Sequence, residues 1–230
     1  MVLLTNFVNT SISVASFLLL NTCIILSAAL LTKKYFRVDS KADNYLTVGV
    51  LYLAQIIFYE TFLGATHLLT HLNLLVLSLL GFFLILLISR KGTRWKFAEK
   101  SEIYHKVREY LRGNRLLQIA LFVCLFIFFF QLFSSLLTPP YDSDSLGNRL
   151  PKVIDWLLAH NLVNPESPHW PYPGNMELIS LWLVIPFHND LLVNLVNFPL
   201  LFLALLSIYS LCRKAGIEKK WACYGALLLF

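Results

Sequence analysis

The segment Leu116–Leu137, LLQIALFVCLFIFFFQLFSSLL, decides the fold class of this chain. It contains no charged side chain, and about 20 consecutive apolar residues are enough for an α-helix to cross the hydrocarbon core of a bilayer. Four further apolar segments of similar length occur, Ser11–Leu31, Leu46–Ala65, Leu68–Ser89 and Leu191–Cys212. The sequence therefore predicts an all-α, polytopic transmembrane protein.

The composition agrees with a membrane protein. Of the 230 residues, 57% are hydrophobic and 14% are charged, whereas soluble domains average about 45–50% apolar and about 25% charged residues. These values exclude a soluble enzyme, a disordered protein and a collagen-like fibre. The four cysteines are scattered and show no metal-binding spacing, so neither a disulfide scaffold nor a metal site is predicted from them.

The basic residues predict the orientation. Of the 19 Lys and Arg residues, 17 lie in the three segments Thr32–Tyr45, Arg90–Arg115 and Arg213–Lys220. Five spans place all three segments on one side of the membrane, and Lys and Arg in short loops mark the cytoplasmic side. We therefore expect the N-terminus and the segment Thr138–Asp190 to lie outside. We therefore attribute the net charge of +6 to the cytoplasmic loops and not to a surface that binds nucleic acid.

The long segment Thr138–Asp190 is the predicted outer loop. Its apolar residues at positions 150, 153, 154, 157 and 158 have helical spacing, which predicts a short amphipathic helix. A second short helix is predicted from Asn175 as N-cap to Ile185, with Pro186 closing it. Both are too short to cross a bilayer, so we expect them to lie along the outer membrane surface.

Two carboxylates, Asp142 and Asp144, follow directly after the fourth span. Side chains of this type can act as a general base or bind a metal. Beside Ser143 and Ser145 they can equally form an Asp turn or cap a helix, and the spacing alone leaves these roles open.

Three further ionisable residues lie in or beside the spans. Glu60 lies near the outer end of the second span, where a carboxylate is a functional hypothesis by default. His67 and His71 are four residues apart, which on one helix would place two metal ligands on the same face. Hydrogen bonding among interfacial polar residues is the alternative for these side chains.

Three motifs carry a resemblance to a known family. They are DSLGNRLPKVIDW at Asp144–Trp156, YPGNMEL at Tyr172–Leu178 and PFHNDLLVNL at Pro186–Leu195. In this order they resemble the GT-C superfamily of integral-membrane glycosyltransferases, most closely the family 39-like members related to dolichyl-phosphate-mannose–protein mannosyltransferases. The similarity covers roughly Leu116–Ile217. Asn148-Arg149 departs from the Tyr-His pair that relatives often carry before Leu-Pro.

The resemblance implies a division of the chain. Residues 1–115 would be an N-terminal three-span region with basic cytoplasmic loops, and residues 116–230 the start of a GT-C-like core. Trp221–Phe230 begins another apolar segment and covers about half a span. We therefore expect the sequence to be an N-terminal portion of a longer membrane protein.

The resemblance also implies a function. It is the inverting transfer of a sugar from a polyprenyl- or dolichyl-phosphate donor to a glycan, lipid or protein acceptor at the outer face of a prokaryotic plasma membrane. Asp144 matches the family's general base, with Asp142 as the second candidate. Arg149 is a candidate for binding the leaving phosphate, and a surface arginine near the lipid headgroups is the alternative. Tyr172, Asn175 and Glu177 are candidates for substrate binding, although capping of a helix is an alternative for Glu177. No cofactor is predicted, and a divalent cation is left open because some relatives use one.

A function from another class is the main alternative. The chain would then be a membrane transporter or lipid-carrier protein without catalysis, or a degenerate fragment. Transporters place ionisable residues near the bilayer midplane and often contain repeats. No repeat is evident here, and the carboxylates cluster in the outer loop instead, which favours chemistry at the membrane surface.

Overall fold

The described part of the chain folds into helices. The computed structural model describes residues 2–36, 38, 40–89, 114–141, 145–163, 165 and 174–229, and these residues form no β-strand. The helices are α1 (Val2–Tyr35), α2 (Lys41–Ala65), α3 (His71–Ser89), α4 (Arg115–Leu137), α5 (Leu150–Ala159), α6 (Asn175–Val184), α7 (Asn197–Lys214) and α8 (Lys219–Leu227). A π-helical turn, Ser145–Arg149, precedes α5, and a 3₁₀ turn, Val193–Val196, precedes α7.

The predicted membrane spans are confirmed. Helices α1 to α4, and α7 together with its 3₁₀ turn, are long and apolar enough to cross a bilayer. Large apolar side chains stay exposed along them, and Phe122 on α4 is 71% exposed. Such a surface suits a lipid environment, and we conclude that the protein is a multi-pass membrane protein. Below, the loop side is the end of the bundle that carries residues 138–141 and 185–190, and the basic side is the opposite end.

The third span begins three residues later than predicted. His67 adopts a left-handed backbone conformation with φ 58°, and the Thr70 hydroxyl accepts a hydrogen bond from the Asn73 amide at 3.3 Å. This contact satisfies one of the amides left open in the first turn, and α3 starts at His71. His67 therefore precedes the helix, so the two histidines do not share one helix face, which was one of the two interpretations of their spacing.

On the basic side, α2 is fixed to α7. The Ser40 hydroxyl caps α2 by accepting a hydrogen bond from the Asp43 amide. The Asp43 carboxylate in turn accepts a hydrogen bond from the Ser210 hydroxyl, and the Lys214 Nζ lies 3.5 Å from it. One carboxylate thus connects the first turn of α2 with the last turns of α7.

Helix α2 is central to the packing. It contacts α1, α3, α6 and α7, while α1 also packs against α3, and α8 lies between α7 and α4. The buried core runs through five helices and includes Leu20, Ile24, Ile56, Leu63, Leu74, Val153, Trp156, Leu181 and Trp182.

Both short helices of the loop form where the sequence predicts them, but α6 differs in its surroundings. The prediction placed it along the membrane surface, whereas it is packed inside the bundle, with Leu181, Trp182 and Ile185 almost completely buried. The reason lies in its composition, because apolar residues surround α6 instead of forming one stripe. Its N-cap is Gly174, so the prediction of Asn175 as N-cap is off by one residue.

A polar junction joins α6 to α1 and α2. The Asn21 Oδ1 atom accepts hydrogen bonds from the Tyr52 hydroxyl and from the Trp182 Nε1 at 3.3 Å. The Asn21 Nδ2 donates to the Phe17 carbonyl of its own helix at 2.7 Å. Three helices are therefore held at one carboxamide, which we call the Asn21 junction.

Replacing Asn21 by Leu should weaken this junction. The substitution removes the acceptor of two donors, and a membrane-embedded hydrogen bond contributes about 0.6 kcal/mol on average and up to about 1.7 kcal/mol. We expect a loss of about 1–3 kcal/mol in unfolding free energy, since two such bonds are removed. Reversible unfolding in mixed micelles, followed by tryptophan fluorescence, measures it. The control is Thr22→Val, because Thr22 is exposed and bonds only within α1. Equal effects of the two substitutions would contradict the role assigned to the junction.

Candidate functional site

A small cavity lies at the loop side, where the elements of the predicted outer loop meet. It encloses about 90 Å³. The residues that line it are Ser145, Arg149, Leu150, Met176, Ser180, Val193, Asn194, Val196 and Asn197. We call it the loop-side pocket. It is far smaller than the roughly 300–1,000 Å³ pockets that enclose drug-sized ligands, so it fits one phosphate-sized group and not a whole sugar-lipid.

The wall formed by the 3₁₀ turn is connected to the end of α4. The Asn194 Nδ2 donates a hydrogen bond of 2.9 Å to the Thr138 carbonyl, and Asn194 itself lines the pocket. Thr138 is the first residue after α4, so the bond draws the beginning of the loop towards the pocket.

The opposite wall comes from the π-helical turn Ser145–Arg149, which runs directly into α5. Pro151 fits at the start of α5 because the first turn of a helix has no intrahelical partner for its amide groups. Arg149 ends the turn and brings a cation to the pocket wall. Isolated π-helical turns occur frequently at functional sites.

The predicted general bases lie outside the described residues. This applies to Asp142 and Asp144, and also to Tyr172. The described residues before and after the two aspartates are Tyr141 and Ser145. Ser145 lines the pocket, so the chain enters the pocket wall immediately after Asp144.

The remaining predicted residues divide into two groups. Arg149 is part of the pocket wall, and Asn175 is the first residue of α6, directly before the pocket residue Met176. Glu177 is half-buried in the first turn of α6 and does not line the pocket. Its position suits the alternative role, because a carboxylate in the first turn interacts favourably with the helix dipole.

Sequence reasoning missed Lys152. This residue of α5 is only 4% exposed, and its Nζ lies 5.2 Å from the centre of the Trp156 ring. A cation at this distance from an aromatic face is attracted by the ring quadrupole. One feature of the sequence could have pointed to Lys152 as a site residue. Lys152 and Arg149 are the two basic residues that lie outside the three basic segments. Ser180, Asn194 and Asn197 were also not proposed as site residues, although Asn194 lies in the third family-like motif.

The Lys152–Trp156 pair packs against the start of α6. A β-carbon at Gly174 would lie 2.5 Å from Trp156 Cη2 and 3.4 Å from Lys152 Nζ. Glycine therefore allows α5 to approach the start of α6 closely, and both helices contribute residues to the pocket lining.

Glu60 lies apart from the pocket, within α2. Its side chain is completely buried, and neither carboxylate oxygen has a hydrogen-bond partner among the described residues. Groups of three or more His, Cys, Asp or Glu side chains able to hold a metal ion are absent from the described part of the chain.

Comparison of the chain with known protein families, curated proteins and solved structures finds no match. The likeness to GT-C glycosyltransferases therefore rests on the three motifs alone.

Replacing Gly174 by Ala should disturb the pocket. The added methyl group requires Trp156 to move, and overpacking of this kind costs about 1–3 kcal/mol. We expect a lower midpoint of thermal unfolding in detergent, together with faster proteolysis in residues 145–163. The matched control is Gly147→Ala, since a β-carbon at Gly147 meets no atom within 4 Å. A Gly174→Ala protein as stable as the control would show that α5 and α6 are not closely packed.

Proposed function

We propose that the protein is a membrane glycosyltransferase that uses a polyprenyl- or dolichyl-phosphate-linked sugar. The observation that carries the proposal is the loop-side pocket, which combines a cation, Arg149, with small polar side chains and directly follows the acidic Asp142–Asp144 segment. Its size and its guanidinium suit a phosphate group, because arginine binds phosphate through paired, charge-assisted hydrogen bonds.

The reaction needs two groups from the chain. Asp144, with Asp142 as the second candidate, takes the proton from the acceptor hydroxyl as its oxygen attacks the anomeric carbon. The bond between that carbon and the phosphate oxygen breaks, and the lipid phosphate leaves with the electron pair and interacts with Arg149. A single displacement of this kind inverts the anomeric centre. Tyr172, Asn175 and Glu177 are proposed to bind the sugar or the acceptor.

A transfer assay tests the proposal. The protein, in the longest form available, is placed in vesicles with radiolabelled polyprenyl-phosphate sugars and an extract of envelope acceptors. We expect Asp144→Asn to lower the transfer rate by about 10²–10⁴-fold, which is the usual contribution of a general base. Arg149→Met should lower kcat/KM by about 10–100-fold, since it removes about 1.5–3 kcal/mol of charge-assisted hydrogen bonding.

The controls separate the site from general damage. Arg213→Met removes an exposed arginine on the basic side, whose Nη1 bonds only to the Ile217 carbonyl in the described structure, and it should transfer at the wild-type rate. Transfer unchanged in Asp142→Asn, Asp144→Asn and their double variant would overturn the assignment of the base. Transfer unchanged in Arg149→Met would overturn the phosphate role.

A transporter or lipid-carrier function is the second candidate, and Glu60 is the observation that favours it. Buried ionisable residues within spans commonly mark the pathways of ions and substrates. In vesicles this function predicts flux of solute or lipid that depends on Glu60 and is unaffected by Arg149→Met. If the protein is a glycosyltransferase, the measured sugar transfer depends on Arg149 and is unaffected by a substitution at Glu60.

We further propose that the loop side faces outwards from a prokaryotic plasma membrane, with the N-terminus outside, because the basic segments favour the cytoplasm. Single cysteines at Ala159 and Ala215 test it, since both positions are exposed and lie on opposite sides. In intact cells whose protein lacks its native cysteines, a membrane-impermeant maleimide should label residue 159 and not residue 215. In permeabilised cells the maleimide should label both residues. Labelling of residue 215 and not of residue 159 in intact cells would refute the orientation.

A further inference from the structure

A second described concavity of the bundle is a groove between α2 and α3. It has a volume of about 580 Å³. It follows α2 from Leu51 to Tyr59 and α3 from Leu77 to Ile85, which is about 12 Å along each helix at 1.5 Å per residue. We call it the α2–α3 groove.

The floor of the groove is formed by small or buried groups. Tyr59 is only 6% exposed, and its hydroxyl packs against Gly81, where a β-carbon would collide with it. The absence of a side chain at Gly81, and the small Ala54 on the other wall, leave the space open.

The rim of the groove faces the bilayer. Phe58 on α2 and Leu80 and Leu84 on α3 are each about 60% exposed, although they belong to membrane spans. The groove therefore opens sideways into the hydrocarbon of the membrane and not into water.

The depth of the groove decides what can reach it. Its loop-side limit, at Tyr59 and Leu77, lies about 9 Å below the loop-side ends of α2 and α3. Its basic-side limit lies about 6 Å or more from the other ends. In a hydrocarbon core about 30 Å thick, headgroups stay near the helix ends, so only the hydrocarbon part of a lipid lies at this depth.

The lining agrees with a hydrocarbon occupant. It carries no charged side chain. The Gln55 Nε2 donates a hydrogen bond of 3.1 Å to the Leu51 carbonyl, whereas the Gln55 Oε1 is buried and has no partner among the described residues. A volume of about 580 Å³ over a length of about 12 Å corresponds to a mean cross-section of about 50 Å². A helix of a second protein copy, about 10–12 Å across, is wider than this, whereas a single chain of methylene groups is narrower.

We propose that the α2–α3 groove is a binding site for one acyl chain of a membrane phospholipid. The chain lies along the floor formed by Tyr59 and Gly81 and is covered at the rim by Phe58 and Leu84. A chain enclosed on two sides makes more dispersion contacts than one on a convex surface, so this lipid exchanges more slowly than its neighbours. The site does not depend on the proposed sugar transfer.

Photolabelling tests the site. The full chain is incorporated into phosphatidylcholine–phosphatidylglycerol vesicles that contain phosphatidylcholine with a diazirine in the middle of one acyl chain. It is then extracted into detergent, freed of exchangeable lipid by repeated gel filtration, irradiated, and analysed by peptide mass spectrometry. We expect retained label on residues 51–59 and 77–85, and little on the exposed face of α4 around Phe122 and Phe130. Equal labelling of α4 and the groove would show surface lipid only and would overturn the proposal.

Variants make the test specific. Ala54→Phe fills the groove from α2, and Leu80→Phe narrows it from α3. Each should reduce the retained label about tenfold, the ratio that corresponds to about 1.4 kcal/mol of binding free energy. Val123→Phe on the exposed face of α4 is the matched control and should retain the wild-type amount.

The remaining outcomes point to other occupants. Cross-links between two protein chains at residues 51–59 or 77–85, without lipid label, would assign the groove to a second copy. Label that is lost on adding a few per cent of polyprenyl phosphate, but not on adding the same amount of phosphatidylglycerol, would assign it to an isoprenoid chain. Either result overturns the acyl-chain site. If a groove variant does not fold, the position of the label in the wild-type protein still decides the question.

Discussion

The Asn21 junction is the interaction on which the arrangement of this bundle depends most. In a membrane the hydrophobic effect does not drive helices together, because lipid tails are as apolar as the side chains. Helix association therefore depends on close packing and on polar contacts between helices. The carboxamide of Asn21 provides such a contact for Tyr52 and Trp182 at the same atom. It therefore holds α6, a helix too short to cross the bilayer, inside a bundle of helices that do cross it.

Holding α6 in this position has a consequence for the loop-side pocket. Leu181 and Trp182 point into the core, while Met176 and Ser180 line the pocket. The two sets lie on different faces of one helix, so the contact that buries one face orients the other. On the far side of the pocket, Trp156 and Lys152 pack against Gly174 and hold α5 in place. Rigid packing of this kind is what a binding group such as Arg149 requires to be kept in one position.

The sequence was sufficient for the spans and for the two short loop helices, because each depends on local pattern and length. It was not sufficient for the surroundings of α6, because the partners that bury Trp182 lie in α1 and α2, far away in the chain. The burial of Lys152 escaped prediction for the same reason, because its partner Trp156 and the approach of Gly174 depend on tertiary packing. Glu60 was singled out from its place in the second span. For the candidate site, Arg149 lies at a polar pocket, and its phosphate role stays a prediction. The helical spacing of His67 and His71 did not lead to a shared face, because a left-handed residue precedes α3. The roles of Asp142, Asp144 and Tyr172 remain predictions from the motifs.

The π-helical turn at Ser145–Arg149 sets the rotational phase of everything that follows it in α5. Successive residues of an α-helix are separated by about 100° around the axis, and a π-helical turn contains one more residue than the corresponding α-turn. Deleting a single residue within the turn would rotate the residues before the deletion, Ser145 among them, by about a quarter turn relative to Arg149 and Trp156. Related chains could therefore turn Ser145 towards the pocket or away from it by a change in length alone, and alignments of such chains need to allow a one-residue gap at this turn.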